Sequence, residues 1–221
     1  MFSPQQITQF KRICSSFGIG LSDGMVDKFK VYTGLLLEWN QRMHLVSKGD
    51  AKPDRILRHF VDSLCILKAI DIPKGAKLLD LGSGAGFPGI PIKIVRDDIQ
   101  LTLVESIRKK NLFLRKLSES LRLEGINIVN QRAEELADHP DFREKFDLVT
   151  AKAVGKLKDI VGLSVPFLKT GGLLVVYKGK ELKKEIEETT SLKEFRIRDV
   201  TRIKVPEMDL LRWVVVVKRE R

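Results

Sequence analysis

The segment Leu78-Leu79-Asp80-Leu81-Gly82-Ser83-Gly84-Ala85-Gly86 limits what this chain can fold into more than any other. A short, mainly apolar run suits a buried strand, and the alternating glycines after it allow positive φ and close approach of a ligand to the backbone. Pro88 then falls in the first turn of a following helix, whose free N–H groups favour an anion. Strand, glycine turn and helix in that order open a parallel α/β sheet. The spacing is G-x-G-x-G, with Phe87 where the dinucleotide fingerprint has its third glycine. Alone, such a loop is compatible with a nucleotide-like ligand or with a structural tight turn.

The rest of the chain extends this reading. Residues 1–75 have helical periodicity, with predicted helices from Pro4 to Ser16, from Ser22/Asp23 to Trp39 and from Asp54 to Leu67. From residue 76 short apolar runs alternate with helical segments: strands are expected at Lys77–Leu81, Leu101–Glu105, Ile126–Val129, Phe146–Thr150 and Leu173–Tyr177. Helices are expected near 87–95, 107–123, 133–138 and 156–168. Lys180–Ser191 reads as helical, and Phe195–Val205 and Trp213–Lys218 as two strands joined by a short turn at Pro206, which permits only antiparallel pairing. The predicted fold class is α/β: a Rossmann-like, mostly parallel sheet with an antiparallel C-terminal hairpin. A helical N-terminal extension (1–75) precedes the ligand-binding domain (76–221).

The second strand sharpens the ligand. Glu105 ends it 23 residues beyond Gly82, where a carboxylate can accept from both hydroxyls of a ribose; a solvated strand-end glutamate is the plainer alternative. Loop and Glu105 together indicate a nucleoside-containing cofactor. Asp80, an acid inside the first strand, tilts the choice to S-adenosylmethionine, with the glycine loop holding its amino-acid portion instead of a pyrophosphate.

Several further motifs resemble one family, the small-subunit ribosomal RNA methyltransferase G proteins, also called glucose-inhibited division protein B. The most specific is Phe87-Pro88-Gly89-Ile90-Pro91 directly after the loop; Arg58-His59-Phe60-Val61-Asp62-Ser63-Leu64, Arg132-Ala133-Glu134 and Arg212-Trp213-Val214-Val215-Val216-Val217-Lys218 are similar to further family elements. The resemblance covers nearly the whole chain. It implies a class I methyltransferase fold and methyl transfer to guanine N7 in the decoding region of 16S ribosomal RNA. It implies cofactor contacts for Gly82, Phe87, Ala133, Glu134 and Lys152, which join Asp80, Ser83, Gly84, Gly86 and Glu105 from the loop and strand pattern in one cofactor-binding set. Lys152 stands where the family usually has an arginine, a change that keeps the charge and loses the planar fork. It is also the single candidate for a catalytic role. His44 departs from the family pattern too, where an asparagine is expected, while Asn40 of the same segment fits.

The chemistry agrees through what is missing. No [N/D]-P-P-[Y/F] element for exocyclic amine methylation follows the fourth strand, and Cys14 and Cys65 both precede the loop, unlike the nucleophile of a cytosine C5 enzyme. Guanine N7 loses no proton when it attacks, so positioning matters more than a general base. His59 reads as a hydrogen-bonded structural histidine. Asp62 and Ser63 read equally well as active-site wall or as packing.

Forty Lys and Arg against 29 Asp and Glu give a net charge of +11, which suits a polyanionic partner. Lys48, Lys52, Arg55 and Arg58 are the leading phosphate-contact candidates, with Lys178, Lys180 and Arg212 near the end of the cofactor domain. The basic groups at 108–110 and 115–116 read first as a solvated helix face. Two cysteines form neither a disulfide framework nor a metal-ligand spacing, and no signal-like or membrane-spanning run is present. The expectation is a cytoplasmic monomer, without metal, acting on 16S rRNA or the small ribosomal subunit. Two alternatives stay open: a methyltransferase for a non-RNA substrate, and a cofactor-binding RNA-binding protein with a decayed active site.

Overall fold

Capping chemistry sets the first helices. Ser3 caps α1 (Pro4–Ser15) in a reciprocal box with Gln6, and Pro4 sits at the first helical position. Ser22 caps α2 (Asp23–Asn40), and Pro53 opens α3 (Pro53–Leu64). The computed structural model describes residues 2–152, 155–178, 182–189 and 194–220. The third helix was expected to reach Leu67; α-helical geometry stops at Leu64 and the chain tightens into a 3-10 turn, Cys65–Lys68.

Strands and helices then alternate: β1 (Lys77–Leu81), α4 (Gly89–Val95), β2 (Gln100–Val104), α5 (Arg108–Ser120), β3 (Ile126–Val129), α6 (Ala133–Leu136), β4 (Phe146–Lys152), α7 (Leu157–Ser164), β5 (Leu168–Lys178), α8 (Leu182–Thr189), β6 (Phe195–Val205) and β7 (Leu210–Arg219). The sheet order is β3-β2-β1-β4-β5-β7-β6. Strands β1 to β5 are parallel, and β7 runs antiparallel to both β5 and β6. This is the mostly parallel sheet with a C-terminal hairpin that the pattern predicts. Four strands differ in extent: β4 runs on from the expected Thr150 to Lys152, and β7, expected at Trp213–Lys218, spans Leu210–Arg219. β2 ends one residue before Glu105, which therefore lies in the turn after it. β5 begins at Leu168, five residues early, because Leu168 already pairs with Phe146 before a register shift.

The two faces of the sheet carry different layers. Alternation along β1 sends Leu78 to one face and Leu79 and Leu81 to the other. On the first face the N-terminal helices add an aromatic cluster: Phe10 and Phe29 lie 5.1 Å apart, Phe29 and Phe60 4.7 Å, and Tyr32 and Phe60 5.0 Å. Each such ring, fully buried, contributes about 1.5–3 kcal/mol of transfer free energy. The apolar core is continuous from Phe2 through the helices to Leu101 and Val216, so the extension and the sheet share one interior. Helices α6, α7 and α8 cover the second face.

Candidate active site

From β1 the chain moves outward to β2 and β3, then crosses back to β4 on the other side of β1. At such a switch point the helices diverge and leave a crevice at the carboxyl ends of the strands. Most of the expected cofactor residues gather there: Gly82 follows β1, Glu105 follows β2, Ala133 and Glu134 open α6 after β3, and Lys152 ends β4.

The glycine loop is tied down from within. Gly82 and Ser83 N–H both donate to the Val104 carbonyl at 3.0 and 3.1 Å. The Ser83 hydroxyl donates to the Asp80 carbonyl at 2.9 Å. Glu105 is nearly buried, and its two carboxylate oxygens accept from Gly84 N–H (2.9 Å) and Ile107 N–H (2.8 Å). It clasps the loop to the start of α5, and each oxygen keeps a lone pair for a further donor. Asn130 Nδ2 donates to the Glu105 carbonyl, so the ends of β2 and β3 are joined as well.

Asp80, expected in the cofactor-binding set, lies under the loop with no exposed surface. Its carboxylate accepts from Gly89 N–H at 3.0 Å and from the Thr150 hydroxyl at 2.9 Å. Burial pushes its pKa up to about 7, against the pull of those hydrogen bonds and of Lys152. Gly86 also has a packing reason. Its φ is +97°, and a Cβ there would stand 2.7 Å from Tyr32 Oη, which donates to the Ala85 carbonyl at 2.6 Å. Gly84, at φ +55°, has instead an open side, with nothing nearer than 3.8 Å.

A cavity of about 310 Å³ opens against this loop. Gly82, Ser83, Gly84, Ala85 and Phe87 form one wall; Leu45, Val46, Ser47, Asp50 and His59 form the other; Lys152 closes it. Lys152 Nζ lies 2.9 Å from Asp62 Oδ2, 3.4 Å from Ser63 Oγ and 5.2 Å from the centre of the Phe87 ring. Asp62 is buried and shared. Arg212 takes both its oxygens through Nε (2.7 Å) and Nη2 (2.9 Å). Burial pushes the Asp62 carboxyl upward, and the two cations outweigh that, leaving it below the usual range. The planar fork absent from Lys152 is thus present at Arg212, reaching the same carboxylate from β7.

Arg212, expected to face phosphates, is therefore engaged inside the protein. Lys178 is likewise buried, paired with Glu185 at 2.6 Å and donating to the Gly155 carbonyl at 2.8 Å. Neither is presented as a free phosphate ligand, because each ammonium or guanidinium already meets a carboxylate. Lys180 lies outside the described residues. Arg58 is half-buried and donates to the Asp209 carbonyl at 2.7 Å. Lys48, Lys52 and Arg55 are exposed on the turn and helix start next to Ser47 and Asp50, which form the lip of the cavity; none of the three lines it, and Arg55 borders a separate depression with Arg58 and Asp209. Ala133 packs on the second core and Glu134 is exposed; neither lines the cavity.

Three residues outside the expected cofactor set support or line the cavity. Tyr32 supports the loop from 53 residues upstream, its ring 5.5 Å from Phe87 and nearly parallel to it. Asn40 Oδ1 accepts from Leu45 and Val46 N–H at 2.8 and 2.9 Å, which orders the segment opposite the glycines. His59 was read as hydrogen-bonded, yet its Nε2 is buried with no hydrogen-bond partner among the described residues. The motif position of Asn40 was a signal; for Tyr32 there was none. Both cysteines are buried free thiols whose pKa values burial raises, Cys14 up to about 12, so neither is primed as a nucleophile.

A family model for rRNA small subunit methyltransferase G matches residues 25–209. The chain is 42% identical over 207 residues to the ribosomal RNA small subunit methyltransferase G of Caldanaerobacter subterraneus subsp. tengcongensis, covering 93% of this chain and 86% of that protein. It is 40% identical to the Acetivibrio thermocellus protein of the same name, over 94% and 86%. Among solved structures, the M. jannaschii TYW2 protein in complex with AdoMet superposes with a TM-score of 0.57 at 15% identity, over 82% of this chain and 80% of that one. A predicted O-methyltransferase from Agrobacterium tumefaciens gives 0.56 at 20% identity, over 69% and 77%. At these identities the structures speak for the fold alone, a class I methyltransferase sheet.

Proposed function

The chain belongs to the rRNA small subunit methyltransferase G family, whose members transfer a methyl group from S-adenosylmethionine to guanine N7 of 16S rRNA, and on that premise we propose how its own residues carry the reaction. The cofactor, when bound, supplies an electrophilic methyl group on a sulfonium. Gly82, Ser83 and Gly84 hold its amino-acid end; Glu105 accepts from its ribose; Ala133 and Glu134 border its adenine; Phe87 lies between the two ends. The open side of Gly84 and the spare lone pairs of Glu105 fit such a molecule. Asp80 and Gly86 act from beneath by fixing the loop, and Lys152 sets the charge of the cavity floor.

The helical extension, residues 1–75, forms the substrate wall, and residues 76–221 form the cofactor domain. One observation carries this assignment: the cavity has the glycine loop on one side and Leu45, Val46, Ser47, Asp50 and His59 of the extension on the other, with the exposed Lys48, Lys52 and Arg55 close by in sequence. Those cations bind phosphates and place the RNA without reading its sequence. N7 presents an in-plane lone pair and gives up no proton, so the residues around it need only align it with the methyl group and exclude water. Asp50 stays ionised at the lip: the Ser47 hydroxyl donates to it at 2.7 Å and lowers its pKa, which suits a base that becomes cationic. We place the enzyme in the cytoplasm, acting as a monomer.

The test is methyl incorporation from labelled S-adenosylmethionine into 16S rRNA or small subunits that lack the modification. Labelled N7-methylguanine at a single position is the expected outcome. Cofactor binding without transfer would leave a cofactor-responsive RNA-binding protein, and transfer only to a small molecule would refute the rRNA assignment.

A further inference from the structure

The extension's wall of the cavity carries a polar atom that the protein does not satisfy. His59 Nε2 is shielded from water and has no hydrogen-bond partner among the described residues; Asp50 Oδ2, at 3.7 Å, is beyond hydrogen-bond length. Buried polar atoms are seldom left this way, and the exceptions call for an explanation, a role in the reaction among them. The ring itself is well held, nearly parallel to Phe87 with centroids 5.3 Å apart and an interplanar angle of 25°. Phe87 in turn follows the glycine loop directly, so the imidazole packs against the residue next to that loop. Burial lowers the His59 pKa, Lys152 lowers it further, and Asp50 and Asp62 act in the other direction. The imidazole is thereby kept neutral, with one N–H to donate.

We propose that His59 reads the target base: as the base enters and displaces the Asp50 side chain, which stands 3.7 Å away, Nε2–H donates to guanine O6 while N7 faces the methyl group. This rests on the guanine N7 assignment above and adds the residue that selects the base. N7 and O6 are neighbouring acceptors on one edge of guanine, whereas adenine offers N7 beside an N6 amino donor. A donor aimed at that neighbouring position accepts guanine and rejects adenine. Methyl transfer uses up the N7 lone pair, so the group that aligns the base has to hold the other acceptor. The purine ring gains positive charge as the methyl arrives, and a neutral imidazole can hold O6 without adding a second cation. Lys152 is less suited, since it is charged and already engaged with Asp62 and Ser63.

The experiment compares the wild-type protein with His59→Phe on 16S rRNA carrying either guanine or 2-aminopurine at the target position. 2-Aminopurine keeps N7 and loses O6. Phe keeps a ring against Phe87 and removes an atom that is unpaired in the free protein, so the melting temperature should stay level or rise. On guanine, kcat/KM should fall about tenfold to a hundredfold, the range of one good base contact, with cofactor affinity unchanged. Wild type should lose a similar factor when O6 is removed, and the variant should lose nothing further. His59→Gln, which restores an N–H donor, should recover part of the activity and of the discrimination. Equal guanine-to-2-aminopurine ratios in wild type and His59→Phe would overturn the proposal, as would a lowered melting temperature with discrimination intact. Failure of the wild-type protein to methylate 16S rRNA at all would overturn the underlying assignment, a result distinct from either.

Discussion

Two cavities of about 310 Å³ open at opposite ends of the same strands, and only one has the makings of a site. At the amino ends of β1, β4 and β5, Ile70–Pro73 and Lys169–Leu173 enclose a pocket whose more buried carboxylate, Asp147, is already answered. Asp147 takes Lys169 Nζ at 2.6 Å and Lys77 N–H at 2.9 Å. At the carboxyl ends, one buried carboxylate faces two cations, a glycine shows its open side, and a buried ring nitrogen has no partner among the described residues. Parallel strands explain the asymmetry: the loops leaving β1, β2 and β4 all emerge at one end. Volume does not distinguish a site from a dent. What the fold leaves unpaired does.

The widest gap between the two ends is expected in stability. Asp62→Asn would leave Lys152 and Arg212 without a counter-charge in a buried place and should cost about 3–5 kcal/mol. Asp147→Asn, at the half-exposed amino end, should cost no more than about 1 kcal/mol. Urea unfolding of both variants checks this, and equal losses would erase the contrast.

A second difference lies in how the carboxyl end responds to pH. Asp80 is held at about 7 in the folded protein against 3.8 unperturbed. Below the lower value both states carry the proton. Between the two, the unfolded chain ionises while the folded one keeps its proton, so stability falls as pH rises towards 7. The fall is capped at about 4 kcal/mol, from a shift of roughly three units. Asp80→Asn can still accept from Gly89 N–H and donate to Thr150, so it should flatten the profile between pH 4 and 7 and raise stability at pH 7.5. A profile as steep as wild type would move the titration to another group.

Smaller, and felt in binding, is the loss of the clasp at Glu105. Glu105→Ala leaves Gly84 and Ile107 N–H unpaired as well as any ribose hydroxyl, and should weaken S-adenosylmethionine binding by about 1–3 kcal/mol. Lys169→Ala at the other end should not change it. Calorimetry decides; unchanged affinity in Glu105→Ala would take that residue out of the cofactor site.

The parts legible in the sequence are those written in neighbouring residues. β1 at Lys77–Leu81 and β6 at Phe195–Val205 begin and end where their apolar patterns do, and the glycine loop declares itself by spacing. The fold followed from these local signals. The floor of the site did not, because Asp62 and Arg212 are 150 residues apart and Lys178 meets Glu185 only after β5 and α8 have packed. A lysine or arginine in a sequence carries no mark of its partner, so Lys178 and Arg212 read as surface cations. The same blindness hid His59: its neighbours Arg58 and Asp62 suggested a satisfied side chain, whereas Arg58 turns to Asp209 and Asp62 to Lys152 and Arg212.

The finest contrast concerns the lip, where charge acts without affecting the fold. Lys52 and Arg55 are exposed, and among the described residues Arg55 has only a loose 3.8 Å approach to Asp54. Reversing both to glutamate should change stability by no more than about 0.5 kcal/mol and leave cofactor affinity intact. RNA binding should weaken and lose salt dependence, by about 0.7–0.9 in the slope of log K against log salt for each phosphate contact removed. Reversing Lys169 and Arg198, which line the amino-end cavity, serves as the matched control and should leave that slope unchanged. If instead the control flattens the slope and the lip variant does not, the RNA crosses the molecule at the opposite end of the strands.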